Sequence, residues 1–299
     1  MQRLVAAYRA LERFWLSPSD PRVYALVRIT FAITAICNLI DLWPQRQEFF
    51  SKSGLIDLAT LQQNIGDEPY YSVFLYASEE QAVTAIFVIA LISLACLGLG
   101  ILQRPAAIVA FVWHLSYSYR AFPIIHGWDE ILRIVAFVIM ISPTSDTWSI
   151  KRLFSNRSEA SAVSRHGLVL LQLQLFVIYW QTLWLKLADE HWRNGEFVAY
   201  FQLSMYSRAP LEFWAHAEIL SALLTFGTLL VEFLIPLLLI CRRTRTIGFA
   251  VGFGFHFGIL VLSKVWLFSL AIWIPYFAFL ESDDVTRLER LGARIRRRA

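Results

Sequence analysis

Charge is what this sequence has least of. Only 17% of its 299 residues are Asp, Glu, Lys or Arg, where soluble domains carry about a quarter, and 57% are hydrophobic. With a mean hydropathy of +0.53, this composition excludes an ordinary water-soluble domain and points to a membrane protein. Cysteine is nearly as scarce. Cys37, Cys96 and Cys241 lie far apart in or beside apolar segments, with no CxxC and no metal-ligand spacing. An odd number of scattered cysteines argues against a disulfide framework and against thiol-pair redox chemistry. No internal repeat is visible, so the inverted-repeat signature of many transporters is missing. The opening stretch MQRLVAAYRALERFWL lacks a continuous apolar core and a small-residue cleavage site. It reads as a retained, amphipathic cytoplasmic segment over residues 1–22, not as a signal peptide.

What is present is a succession of apolar windows. Eight are expected to span a membrane, at roughly 23–42, 81–101, 105–122, 128–142, 168–186, 219–240, 244–263 and 265–280. The fourth and last are short, and the third contains His114. The expected fold is therefore an all-α integral membrane bundle of about eight helices over residues 23–281, with a basic cytoplasmic tail at 282–299. The distribution of positive charge supports this count. With the N-terminus inside, eighteen Lys and Arg fall on the inner side and seven on the outer, as the positive-inside rule requires. Both termini are then expected in the cytoplasm, with the chain in a bacterial inner membrane. The same topology accounts for the basic residues without any nucleic-acid role.

Two outer segments, 43–80 and 187–218, are long and rich in aromatics. They are expected to form short helices at the outer interface, lying as a lid over the bundle, because segments of this length are functional or disordered and the aromatic content disfavours disorder. Eleven Trp, 11 Tyr and 23 Phe suit both interfacial belts and a flat apolar ligand.

Ionisable residues inside spans are expensive and mark candidate sites. Glu232, in LLVEFLIPLLLICRR, and His256, in VGFGFHFGIL, lie on consecutive spans running in opposite directions. At about 1.5 Å per residue they sit at depths of roughly 13 and 18 Å, within reach across a helical hairpin. They read either as a packing pair or as a proton-handling or ligand-orienting pair. Gly248, Gly252, Gly254 and Gly258 surround His256 in two GxxxG patterns, which serve close helix packing or a planar ligand against bare backbone. In HGWDEILRIV, Asp129 and Arg133 stand four apart and can pair on one helix face. Asp129 and Glu130 also suit a helix N-terminus, while His126 just before them has no such explanation.

Lys186 ends the apolar run that begins at Leu168, within YWQTLWLKLADEHWRNGEFVAY. It is either an anchor reaching for the interface or a base desolvated beneath Trp180, Trp184 and Trp192. The residues alone leave both readings open.

At LWLKLADEHWRNGEFVAY the chain resembles the HTTM family, the transmembrane domain shared by vitamin K-dependent γ-carboxylases and many bacterial membrane proteins. That family shows a lysine at a span end followed by Trp-x-x-Gly, matched here by Lys186, Trp192 and Gly195. FFSKSGLID resembles its outer loop, and SYSYRAFPIIHGWDEILR its Arg, Gly and Asp segment, carried by Arg120, Gly127 and Asp129. SPTSDTWSIKR, LVEFLIPLLL and GFHFGILVLSKVWLFSLAIW resemble the segments that follow. The resemblance implies that Lys186 is the base that deprotonates a reduced, vitamin K-like quinone. It makes His126 and Asp129 further catalytic candidates, with Arg120, Trp184, Trp192, Gly195, Glu232 and His256 as substrate-binding candidates and no metal. The carboxylases carry a large luminal portion after the membrane domain, which these 299 residues do not include. Their His-Ser-Tyr stretch has no counterpart in register, His126 being the nearest histidine. The resemblance therefore favours a hydroquinone or other lipid-soluble substrate over peptide carboxylation. The competing expectation is a non-catalytic protein, either an accessory or immunity component for a secreted peptide or a small transporter.

Overall fold

A computed structural model describes residues 2–55, 57–65, 70–154 and 161–296. Parts of the expected outer segment 43–80, of the inner loop 143–167 and of the basic tail lie outside the described residues. Ten longer helices, numbered here in order, carry the fold. They are α1 (Gln2–Leu16), α2 (Pro21–Leu42), α3 (Glu80–Leu99), α4 (Gln103–Arg120), α5 (Gly127–Ile141), α6 (His166–Ala188), α7 (Glu218–Ile240), α8 (Arg245–Leu262), α9 (Trp266–Tyr276) and α10 (Ser282–Arg296). The described β structure is minimal: Pro18–Ser19 pairs antiparallel with Val163–Ser164, and an isolated bridge joins Ser207 and Ser263.

Five helical stretches are long and apolar enough to cross a membrane: Pro21–Phe50, Glu80–Leu99, His166–Ala188, Glu218–Ile240 and Arg245–Leu262. The protein is thus an all-α integral membrane protein with five candidate spans among the described residues, where eight were expected. The three windows that fall short do so for physical reasons. Helix α4 buries His114, Ser116, Ser118 and Arg120, so it is too polar to be read as lipid-solvated throughout. Helix α5 has 15 residues and Trp266–Phe279 is shorter still, against the roughly 20 that a hydrocarbon core asks for.

The chain divides into two compact units, one of residues 1–169 with 280–299 and one of residues 170–279. In the first, α2 packs on α3, α3 on α4 and α4 on α5. Its core holds a cluster of rings: Phe87 lies 4.7 Å from Trp113 and 5.2 Å from Phe50, which in turn lies 4.9 Å from Phe74. Arg28, buried in α2, donates to the carbonyls of Leu97, Gly98, Thr147 and Trp148 at 2.5 to 3.2 Å. These include the Gly98 carbonyl in the last turn of α3, where helical N–H partners run out, which explains a charge inside an apolar helix. At one end of this unit Arg22 joins Asp20 to Glu289 and Thr286 of α10.

In the second unit α7 packs on α8, α8 on α9, and the short helix Phe197–Leu203 on α7. The expected short helices of the 187–218 segment are present as Glu190–Arg193, Phe197–Leu203 and Phe213–His216. The glycines of α8 divide by role. A Cβ at Gly248 would meet the main chain of Leu238 and Leu239 at 3.1 Å, so its absence permits the α7–α8 contact. Gly252 is abutted by the Tyr276 ring, whereas Gly254 and Gly258 have nothing within 4 Å.

Candidate functional site

The site is built on the end of α6. Asp189 caps the next helix, its Oδ1 accepting from the main-chain N–H of His191 at 2.9 Å and of Trp192 at 3.3 Å. That cap turns the chain back so that the Trp192 ring comes within 4.7 Å of Lys186 Nζ and stacks at 4.0 Å on Phe197. An ammonium over an indole face is a favourable cation–π contact. Gly195 completes the turn at φ +79°, in the left-handed region that favours glycine. Ser221 Oγ donates to the Gly195 carbonyl at 2.9 Å, and the N–H groups of Ala199 and Val198 donate to Ser221 and Thr225. Two hydroxyls one turn apart on α7 therefore staple the Trp-x-x-Gly segment in place.

Lys186 Nζ forms an ion pair with Glu232 Oε1. The lysine side chain is 22% exposed and the glutamate 9%, so the pair lies largely out of solvent, where an uncompensated charge would be costly. Glu232 Oε2 is buried and has no hydrogen-bond partner among the described residues. Four residues on, Pro236 lies inside α7 and has no N–H to give the Glu232 carbonyl.

Beside this pair runs a second polar chain. Tyr179, seven residues before Lys186 on α6, places its hydroxyl 2.6 Å from His256 Nε2 and 2.5 Å from the Tyr276 hydroxyl. All three side chains are buried. Glu232 and His256 are thus on adjacent helices as expected, but each has its hydrogen bond elsewhere.

The aromatic cover expected over Lys186 is furnished by Trp192. Trp184 is 75% exposed, two residues from Lys186 and so on the opposite helix face, while Trp180 packs edge-on against Phe176.

The other expected site residues lie in the first unit. Asp129 does not pair with Arg133, whose partner is Glu130. Its carboxylate instead accepts from Tyr117 Oη at 2.7 Å, Asn38 Nδ2 at 3.0 Å and the His126 N–H at 2.8 Å, the last contact closing the first turn of α5. Three donors from three segments make it a tie between α2, α4 and the start of α5. The His126 ring stacks on Trp128 at 4.1 Å. Arg120 is buried and donates to the Ser51 carbonyl at 2.7 Å, which ties the FFSKSG loop to α4. Tyr179, Tyr276, Ser221 and Thr225 went unread in the sequence. The seven-residue spacing from Tyr179 to Lys186 would have placed those two on one helix face.

An apolar helical chain with a lysine–glutamate pair between two candidate spans defines a class, the helical integral membrane proteins that carry a largely buried lysine–glutamate pair. The chain belongs to the HTTM family, whose HTTM domain profile matches residues 16–283. It is also similar to the sporulation-delaying protein SdpB of Bacillus subtilis (strain 168), at 24% identity over 103 residues, 33% of this chain and 32% of that protein. The chain thus spans about a third of the length of that relative in the match. No solved structure matches.

Proposed function

We propose that this HTTM protein acts on a membrane-soluble, quinol-like substrate, with the Lys186–Glu232 pair as the acid–base unit. The observation that carries this reading is the pair itself, held under Trp192 with the buried Glu232 Oε2 unpartnered. A hydroquinone is flat, apolar and bears an acidic hydroxyl. Its proton needs an acceptor within the apolar layer, and the oxyanion left behind needs a positive charge close by. In the ion pair the Glu232 carboxylate can take the proton and the Lys186 ammonium can hold the oxyanion; the base role that the family resemblance gives Lys186 requires that its own proton first pass to Glu232. Aromatic side chains and bare backbone accommodate such a ring. The chemistry the quinol supplies, once deprotonated, is its own; the protein's part is to bind, orient and take the proton.

The proposed setting is a bacterial inner membrane with both termini in the cytoplasm, and with α4, α5 and α9 completing an eight-segment bundle alongside the five long stretches. The 187–218 segment caps the site.

The test is mass spectrometry of lipids that co-purify with the wild type and with Lys186→Ala. Enrichment of a quinone in the wild type supports the reading, and its absence from well-folded protein overturns it. Turnover by Lys186→Arg would remove the base role, because arginine keeps the ion pair but does not release a proton.

A second reading, which the family resemblance also allows, is a non-catalytic membrane accessory, immunity or transport protein. It predicts full function in Lys186→Arg.

A further inference from the structure

His256 has one ring nitrogen in a hydrogen bond and one without. Nε2 faces the Tyr179 hydroxyl, while Nδ1 is buried with no partner among the described residues. The imidazole itself is 1% exposed. Its main chain is also pinned, since the buried Ser269 of α9 donates to the His256 carbonyl at 2.8 Å.

The protons in this chain can be counted. Each phenol has one. If Tyr276 donates to Tyr179 and Tyr179 donates to Nε2, both phenolic protons are used and the imidazole must be the Nδ1–H tautomer. A single donor, Nδ1–H, is then left over. If instead Nε2–H donates to Tyr179 and Tyr179 to Tyr276, the Tyr276 proton and the Nδ1 lone pair both lack partners. Buried polar groups are costly to leave unpaired, so the first arrangement, with one leftover in place of two, is the one the geometry selects. Gly252 makes it possible. It lies one turn before His256 on α8, and the Tyr276 ring occupies the space its side chain would take.

We propose that His256 Nδ1–H donates to an oxygen of the ligand on which Lys186 and Glu232 act, and that Tyr179 and Tyr276 are positioning residues that fix the tautomer. This rests on the quinol reading above. The site then presents a leftover donor on His256 and a leftover acceptor, Glu232 Oε2. A ligand carrying one oxygen that accepts and one hydroxyl that donates satisfies both atoms, and a quinol has two such oxygens.

The test uses the full chain in lipid nanodiscs with 15N-labelled histidine, and a reduced 1,4-naphthoquinone as probe. Without the probe, the His256 ring signals are expected to show Nδ1 protonated. With it, the Nδ1–H resonance is expected to move. Nε2–H as the resting tautomer, or probe binding that leaves Nδ1–H unmoved, overturns the inference while the quinol reading stands. No binding of the probe overturns both.

Two variants separate a ligand contact from a packing role. The amide nitrogen of His256→Asn falls near the Nδ1 position, and that of His256→Gln near Nε2. A ligand bond from Nδ1 predicts probe affinity within about threefold of wild type for Asn and roughly tenfold weaker for Gln, the loss of one hydrogen bond. A purely structural bond to Tyr179 predicts the reverse order. If either variant does not fold, the tautomer and the probe-induced shift in the wild type decide alone.

Discussion

Glu232 of α7 and Lys186 of α6 share one carboxylate oxygen, and the other oxygen of Glu232 has no partner among the described residues. A pair of this kind is stabilising only relative to either charge alone. Removing the amine in Lys186→Met leaves a carboxylate in an apolar helix, and removing the carboxylate in Glu232→Leu leaves an ammonium supported by Trp192.

Both single variants are expected to destabilise the protein by about 1–3 kcal/mol, a discounted value because Lys186 retains some exposure. The double variant is expected to lie within about 1 kcal/mol of wild type while losing all quinol affinity. Thermal unfolding in detergent measures the cycle. A double variant as unstable as the sum of the singles would mean that the two side chains act independently.

Gly195 and Gly254 are both glycines of apolar surroundings, yet substitution by alanine should move stability in opposite directions. Gly195 sits at φ +79° with the Ala222 Cα only 2.9 Å from where a Cβ would be. Gly195→Ala is expected to cost at least about 1–2 kcal/mol from the left-handed backbone alone. Gly254 lies inside α8 with nothing within 4 Å, so Gly254→Ala is expected to gain up to about 1 kcal/mol from the unfolded chain's lost freedom. Melting temperatures of the two variants check this, and a stabilised Gly195→Ala would remove the argument for a strained turn.

The sequence carried the membrane class and the long helices, because apolar run length is a local signal. It did not carry partners. Asp129 and Arg133 stand at pairing distance along a helix, yet the hydroxyl and amide that Asp129 bonds come from Tyr117 and Asn38, on α4 and α2. Which carboxylate pairs Lys186 depends on how α7 packs, 46 residues away. Tyr179 and Tyr276 read as ordinary apolar aromatics until tertiary packing brings their hydroxyls together. Whether α4 and α5 cross the membrane is not legible in a hydrophobic window, which does not show that the Tyr117 hydroxyl of one bonds the Asp129 carboxylate of the other inside the protein.

Cys241 follows the last residue of α7, is exposed, and lies beside Arg242 and Arg243. The main-chain N–H of Arg243 and the polar groups of Thr244 beside it hold the thiol below its usual range. The thiolate is the nucleophile, so a lowered pKa and full access favour Cys241 over Cys37 and Cys96, which are only partly exposed. At pH 7 a maleimide is expected to label Cys241 at least about tenfold faster than either of the others. Peptide mapping after a short labelling pulse reads this directly. Equal labelling of all three would show that neither the lowered pKa nor the greater exposure of Cys241 sets the rates.

Asp20 gives the fold an acid-sensitive point. Burial raises its carboxyl, but the hydrogen bonds from the Arg22 guanidinium and main chain outweigh it and hold the group below its usual value of 3.8. A group whose folded pKa is depressed contributes stability above its unfolded pKa, and that contribution is lost as pH falls through the folded value. The clasp of Asp20, Arg22 and Glu289 between the start of α2 and α10 should therefore be at full strength at neutral pH and weaken below about pH 4. Asn serves as a helix cap about as well as Asp, so Asp20→Asn removes the charge and leaves the cap. The variant is expected to be about 1 kcal/mol less stable than wild type at pH 7, and the difference should shrink toward zero by about pH 3. Unfolding followed in parallel for both proteins across that range measures it. A difference that does not change with pH would assign the clasp to packing of the Arg22 side chain and not to its charge.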